Sequence, residues 1–181
     1  MRAHYVLSCL WIFVALSVSL AREVGKTTPT KPPLNFTASP VSSSFHENQK
    51  VVFRFTIQNT GEADIFVSPA FILNYDIHLE IEGGPGKPVS WCGVVTKWVF
   101  LGDTLTRLQP GRSLSVSRQI SCDDTHDFGY SFPGPGEYSV SATYRFPVSP
   151  KKLRDNPGPV PVASGPYKAE PVRFRIVQRT E

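Results

Sequence analysis

A chain of 181 residues, 40% hydrophobic and 19% charged, is long enough for one domain with a sizeable core and has a globular composition. Its 17 prolines, 13 glycines and 12 phenylalanines favour strands and turns over helices. The formal net charge of +4 comes from basic residues scattered among acidic ones. We therefore expect no nucleic-acid binding, which requires a denser basic patch.

The N-terminal segment has the pattern of a signal peptide. Arg2 provides a positive start, residues 5–20 carry no charge, and Ser19-Leu20-Ala21 places small residues at the positions that signal peptidase recognises. The apolar run is at the short end for crossing a bilayer. We therefore predict that residues 1–21 are a signal peptide that is cleaved off. The mature protein is then expected to be secreted or periplasmic and to have no membrane span. An uncleaved anchor is the alternative. Residues 22–33 are predicted to be a flexible, Pro-rich linker.

Removal of that segment leaves two cysteines, Cys92 and Cys122. An even number in an exported chain predicts one disulfide, which would leave no thiol nucleophile. Two cysteines this far apart make a poor zinc site, because zinc requires four ligands at tighter spacing.

Alternation of apolar and polar residues predicts a single β-sandwich domain over residues 34–181. The clearest strands are 50–59 and 136–146, in which every second residue is apolar. Shorter predicted strands are 34–38, 64–67, 76–82, 105–108, 114–120 and 172–176, and a further apolar stretch is 94–101. Seven to nine strands without helical periodicity indicate an all-β, antiparallel two-sheet sandwich, with a closed barrel as the alternative.

Three segments carry a family resemblance. They are a strand ending in Asn-Thr-Gly (52–61), a Leu-x-Pro-Gly-x-Ser turn (108–114) and a Pro-Gly-x-Tyr-x-Val-x-Ala-x-Tyr strand (135–144). Together they resemble bacterial exported immunoglobulin-like sandwich domains, and their order is similar to that of the small bacterial proteinase-inhibitor domain first seen in an intracellular inhibitor. The resemblance covers residues 50–146 and implies an immunoglobulin-like sandwich. It assigns no reactive-site residue to this chain.

The chain contains none of the sequence motifs that mark common active sites. There is no Gly-x-Ser-x-Gly, no His-Glu-x-x-His and no phosphate-binding glycine loop, so we expect neither an enzyme nor a cofactor. Asp123, Asp124 and Asp127 lie beside His126 and could offer oxygens to Ca²⁺. The alternating ligands, glycine and distal glutamate of a calcium loop are absent, so we predict a solvated loop and no metal.

Two features are candidates for binding. A long Pro-rich loop at 147–171, with a basic tip at Lys151, Lys152 and Arg154, is predicted to project from one end of the sandwich or else to be a floppy insertion. Aromatic residues could also form a sugar-stacking surface, or could instead fill the core and cover the disulfide. These residues are Trp91, Trp98 and Tyr130, with Phe128 and Phe132 nearby.

The leading hypothesis is a non-catalytic extracytoplasmic binding or structural module. It would act through its loops or a sheet edge on a protein or glycan that the sequence does not identify. The first alternative is a proteinase inhibitor that uses the loop at 147–171 or the one at 123–135. The second is a carbohydrate-binding module.

Overall fold

Strands make up all the regular secondary structure in the part of the chain described here. The computed structural model describes residues 33–86, 88–93, 105–123, 128–145, 162–163 and 165–179. Within these ranges it contains twelve strands: β1 (Leu34–Pro40), β2 (Ser44–His46), β3 (Val52–Asn59), β4 (Ile65–Val67), β5 (Ile77–Gly83), β6 (Ser90–Trp91), β7 (Thr106–Leu108), β8 (Ser113–Gln119), β9 (Tyr130–Ser131), β10 (Gly136–Tyr144), β11 (Tyr167–Lys168) and β12 (Val172–Val177). In these same ranges, no helix has the length and apolarity needed to cross a membrane.

The first sheet is antiparallel, with strand order β1-β3-β8. Phe53, Phe55 and Ile57 of β3 point inward and are fully buried, while Arg54 and Thr56 point outward. This confirms the predicted alternation. Each buried side chain of this size contributes about 2–3 kcal/mol relative to leaving it exposed, so the pattern of β3 determines which face of the sheet is buried.

The second sheet has β10 at its centre. β5 and β12 run antiparallel to β10, and β2 pairs with the outer side of β12. The β2–β12 pair is parallel, which differs from the predicted fully antiparallel sandwich. The difference arises because β1 and β2, separated by three residues, belong to different sheets.

The two sheets pack face to face through aromatic rings. Phe53 of the first sheet meets Phe174 of the second at 5.6 Å in an edge-on contact, and Phe36 meets Tyr144 at 5.8 Å. Tyr138 stacks on Phe174 at 5.5 Å within the second sheet. Such pairs add about 0.5–1.5 kcal/mol each beyond the burial of their area. The predicted all-β sandwich is therefore confirmed.

The end of the predicted 147–171 loop is part of the core. Val162 and Ala163 are buried, and the Ala163 N–H donates to the Phe66 carbonyl at 2.8 Å. β11 and β12 pair with the same side of β10. Between the two pairings, two residues of β10 (141–142) lie opposite three residues of the facing segment (169–171). This is a β-bulge, and Pro171 fits there because it has no N–H to donate. Lys151, Lys152 and Arg154 lie outside the described residues.

Buried polar groups stabilise the turns. The Asn59 amide donates to the carbonyls of Ala63 and Leu108 at 2.8 and 2.9 Å and accepts the Gly61 N–H at 2.9 Å, so it closes the turn after β3. Asp76 is 1% exposed. Its Oδ2 accepts from the Ser68 hydroxyl at 3.0 Å, while its Oδ1 has no hydrogen-bond partner among the described residues. Burial raises the pKa of the Asp76 carboxyl, because burial penalises its charged form.

Four of the described strands were not predicted, because they are too short to show a period. They are β2, β6, β9 and β11, which have only two or three residues each. Predictions for residues 1–32, including the signal peptide, and for the stretch 94–101 with Trp98 fall outside the described residues.

Candidate binding pocket at one end of the sandwich

A disulfide joins two segments that flank β9. Tyr130 pairs with Trp91 of β6 on one side, and on the other side its N–H donates to the Ile120 carbonyl at 2.7 Å. Cys92 follows β6 and Cys122 follows Ile120 closely, and the two form a disulfide with Cα atoms 6.5 Å apart. The predicted disulfide is confirmed. It links the strands on either side of β9, which supports one wall of the pocket described below.

Gly129 permits the close approach of these segments. Its φ is 148°, and a Cβ added there would lie 2.6 Å from the Ile120 carbonyl oxygen. A side chain would therefore push the strand away from residues 120–122. The glycine in this turn is what allows β9 to lie between its two neighbours.

The end pocket is a cavity of about 400 Å³ between the β2–β3 turn and residues 121–123 and 130–134. Its volume falls within the usual range for small-ligand sites. The apolar lining consists of Val51, Tyr130, Phe132 and Ile176. The polar lining consists of His46, Glu47, Asn48, Gln49, Ser121, Asp123 and Ser131.

The β2–β3 turn has a defined shape. The His46 N–H donates to the Gln49 side-chain oxygen at 2.8 Å, and the Gln49 N–H donates to the His46 carbonyl at 2.9 Å. Asn48 has φ 64°, a conformation that asparagine tolerates better than most residues. Glu47 and Asn48 therefore lie at the pocket on a turn held by its own hydrogen bonds.

The opposite wall is also held by hydrogen bonds. The Ser121 hydroxyl accepts the Val51 N–H at 2.9 Å. Asp123 accepts from the Gln119 amide at 3.0 Å and lies 3.8 Å from the Lys50 amine. The Ser121 hydroxyl is buried and Cys122 is in the disulfide, so both residues are held in place in this wall.

Of the two predicted roles for the aromatic residues, the structure places Trp91 and Tyr130 in the second, packed on the core beside the disulfide. Tyr130 is only 9% exposed, and its hydroxyl is 3.2 Å from both the Asn74 side-chain oxygen and the Leu79 carbonyl. Burial raises the pKa of this hydroxyl. Trp91 is half-buried and meets the Tyr130 ring edge-on at 5.1 Å. These two rings pack on the core beside the disulfide, so they do not form a flat sugar-binding platform.

The described part of the loop at 123–135 does not project. Phe132 packs edge-on against Tyr138 and Phe174 at 5.2 and 5.7 Å, and the Gly134 carbonyl accepts the Tyr138 hydroxyl at 2.6 Å. A protease-inhibiting loop must stand clear of its own domain, and residues 128–135 do not. Asp124, His126 and Asp127 lie outside the described residues. Elsewhere, the described side chains include no group of three or more potential metal ligands.

The sequence did not single out the turn residues of the pocket. Of the residues that line the pocket, the sequence indicates Asp123 as a possible Ca²⁺ ligand and Tyr130 and Phe132 as possible aromatic contacts. The sequence gives only a weak indication of this turn. Phe45 is a single apolar residue among polar ones, and Asn48, three residues later, is a residue type that tolerates positive φ.

The chain matches no protein-family model and no curated protein. Its function is therefore inferred from the chemistry of the pocket.

Proposed function

We propose that this chain is a non-catalytic extracytoplasmic binding module with an immunoglobulin-like fold, and that its end pocket receives a cationic side chain of a partner protein. The observation that carries the proposal is the pocket itself. Its lining is mostly polar, with groups held by hydrogen bonds in both walls, and it also includes the apolar side chains of Val51, Tyr130, Phe132 and Ile176. Binding sites are usually concave and combine apolar side chains with polar groups in fixed positions.

The disulfide supports an extracytoplasmic location, and a hydrogen bond of Tyr138 supports the immunoglobulin-like fold. Disulfides persist mainly in oxidising compartments, which is consistent with the predicted signal segment. Tyr138, near the start of β10, bonds to the carbonyl four residues upstream, as the tyrosine corner of immunoglobulin-like domains does.

The cationic ligand follows from the charges at the pocket. Glu47 and Asp123 both line it, and within the described residues Glu47 has no ion-pair partner. The apolar lining suits the methylene stem of a lysine, whose ammonium would then meet the carboxylates. Lys50 already lies near Asp123, so Glu47 is the main electrostatic determinant.

The test is a titration followed by amide chemical shifts. The protein is titrated with Nα-acetyl-lysine amide and, separately, with Nα-acetyl-norleucine amide, which has an apolar side chain of similar length and no charge. A Kd of about 1 mM corresponds to only about 4 kcal/mol, so a single side chain is expected to bind in that range. Shifts should concentrate at residues 46–49 and 121–123 and should be larger for the lysine compound.

Glu47→Gln should weaken lysine binding several-fold. Glu80→Gln, which removes an exposed carboxylate on the outer face of the second sheet, is the matched control and should change nothing. Equal binding of both compounds would remove the electrostatic argument. No shifts at the pocket would overturn the proposal.

A further inference from the structure

The outer face of the second sheet separates its charges by strand. We call this surface the charged face. One edge, on β5, exposes carboxylates, while the opposite side, on β12, exposes guanidinium groups. The strand between them presents small, half-buried hydroxyl residues. The residues concerned are Glu80 and Glu82 on β5, Ser139 and Ser141 on β10, and Arg173 and Arg175 on β12.

Strand register places opposite charges at the same level. Glu82 pairs with Ser139, and Ser139 pairs with Arg173 on its other side. Since neighbouring strands lie about 4.8 Å apart, Glu82 and Arg173 are separated by about 10 Å across a small serine. Neither is in an ion pair with another described residue.

A hollow beside the two arginines is suited to a carboxylate. Arg173 and Arg175 border a depression of about 480 Å³, which Ser44 and Glu137 also line. Arg175 lies 3.7 Å from Glu137, an exposed pair that contributes little to stability. Guanidinium groups bind carboxylates through two parallel hydrogen bonds, so an incoming carboxylate can bind at Arg173.

We propose that the charged face binds the charged face of a second copy of this chain, with the two-fold axis parallel to the strands along β10. This rotation exchanges the two sides of the face and keeps each residue at its level along the strand. Glu82 of one copy therefore meets Arg173 of the second copy, and the pair occurs twice. A two-fold axis across the strands would instead bring arginines against arginines.

The other charges on this face do not cancel the separation between the negative β5 side and the positive β12 side. Lys168, in β11, adds a cation on the same side as Arg173, and Glu170, in the bulge, adds an exposed carboxylate there. With Glu137 of β10, which lies 3.7 Å from Arg175, that side has three cations against two carboxylates and keeps a net positive charge. The β5 side keeps two carboxylates. The face is complementary to itself, whereas an acidic or a basic partner would match only one half.

The area of the face indicates a weak dimer. Four strands at about 4.8 Å spacing and about seven residues at 3.4 Å per residue give roughly 450 Å² per copy, or roughly 900 Å² in total. Stable interfaces bury about 1,200–2,000 Å². We therefore expect a transient dimer that depends on salt, because exposed charge pairs are screened.

Sedimentation equilibrium of the purified protein tests this. Self-association should be measurable at low salt (~0.01 M) and should decrease strongly at ~1 M salt, where the Debye length falls from about 30 to about 3 Å. Glu82→Arg and Arg173→Glu should each lower the association constant by about tenfold or more, and the double exchange should restore it. Arg54→Glu, an exposed change on the outer face of the first sheet, is the control and should leave association unchanged.

The outcomes are decisive because all these residues are exposed and circular dichroism checks that each variant is folded. A monomer at every concentration in low salt overturns the proposal. So does a double exchange that fails to restore association, or an Arg54→Glu variant that weakens it equally. The proposal uses a different surface from the end pocket, so the shift titration and this measurement can fail independently.

Discussion

Removal of the Cys92–Cys122 disulfide should lower the free energy of unfolding by an amount set by the length of the loop that the bond closes. The bond joins residues separated by 30 in sequence. In the chain-entropy model, a loop of this length lowers the entropy of the unfolded chain by about 12 cal/mol/K, which is ~3.7 kcal/mol at 25 °C. The native hydrogen bonds of β9 do not depend on the sulfurs, so replacing both cysteines by serine should leave the strands in place and act mainly on the unfolded state.

The assay is urea unfolding of the oxidised protein and of the Cys92→Ser/Cys122→Ser variant. For a domain of this size, the loss of ~3.7 kcal/mol in the free energy of unfolding also corresponds to a melting temperature lower by about 7–15 °C, which thermal unfolding measures. A reductant should lower the stability of the wild type to that of the variant and should not affect the variant. A difference below about 1 kcal/mol would refute the loop-entropy reasoning.

Two further predictions concern buried polar groups. Tyr138→Phe removes the hydroxyl that donates to the buried Gly134 carbonyl, and we expect a loss of about 1–3 kcal/mol in the free energy of unfolding by urea titration. Asp76 has a raised pKa in the folded state, so its contribution to stability is greatest below about pH 3.8 and is lost as pH rises through the folded-state pKa. The stability of Asp76→Asn relative to wild type should therefore increase from pH 3 toward neutral pH in thermal melts. A stability difference between the two proteins that does not change with pH would contradict the raised pKa of Asp76.

Several features of the fold follow directly from local sequence. The long strands β3 and β10 alternate apolar and polar residues, because one face of each must be buried and the side-chain period of a strand is two. The turn after β3 follows from Asn59 and Gly61, whose side chain and backbone close it. The disulfide follows from having two cysteines outside the predicted signal segment, since no other pairing is then available.

Other features depend on contacts between distant parts of the chain. The end pocket brings residues 46–49 close to residues 121–123 and 130–134, and no local sequence pattern predicts that contact. The short strands β2 and β11 form because the longer strands β12 and β10 offer them backbone partners, and β6 and β9 pair with each other. Their two or three residues are too few to show a period. The sequence left open whether Tyr130 is exposed or buried, and it is buried because β9 lies between two other segments.

The sequence by itself determined the class of fold and the inward face of each long strand, because burial of alternate side chains is a local property of the chain. Only the tertiary structure decided which strands are neighbours. The register between β5, β10 and β12 places Glu82 and Arg173 at one level although they are far apart in sequence. The physical reason is that pairing between strands depends on packing and hydrogen bonding across the whole sheet, which no single segment specifies.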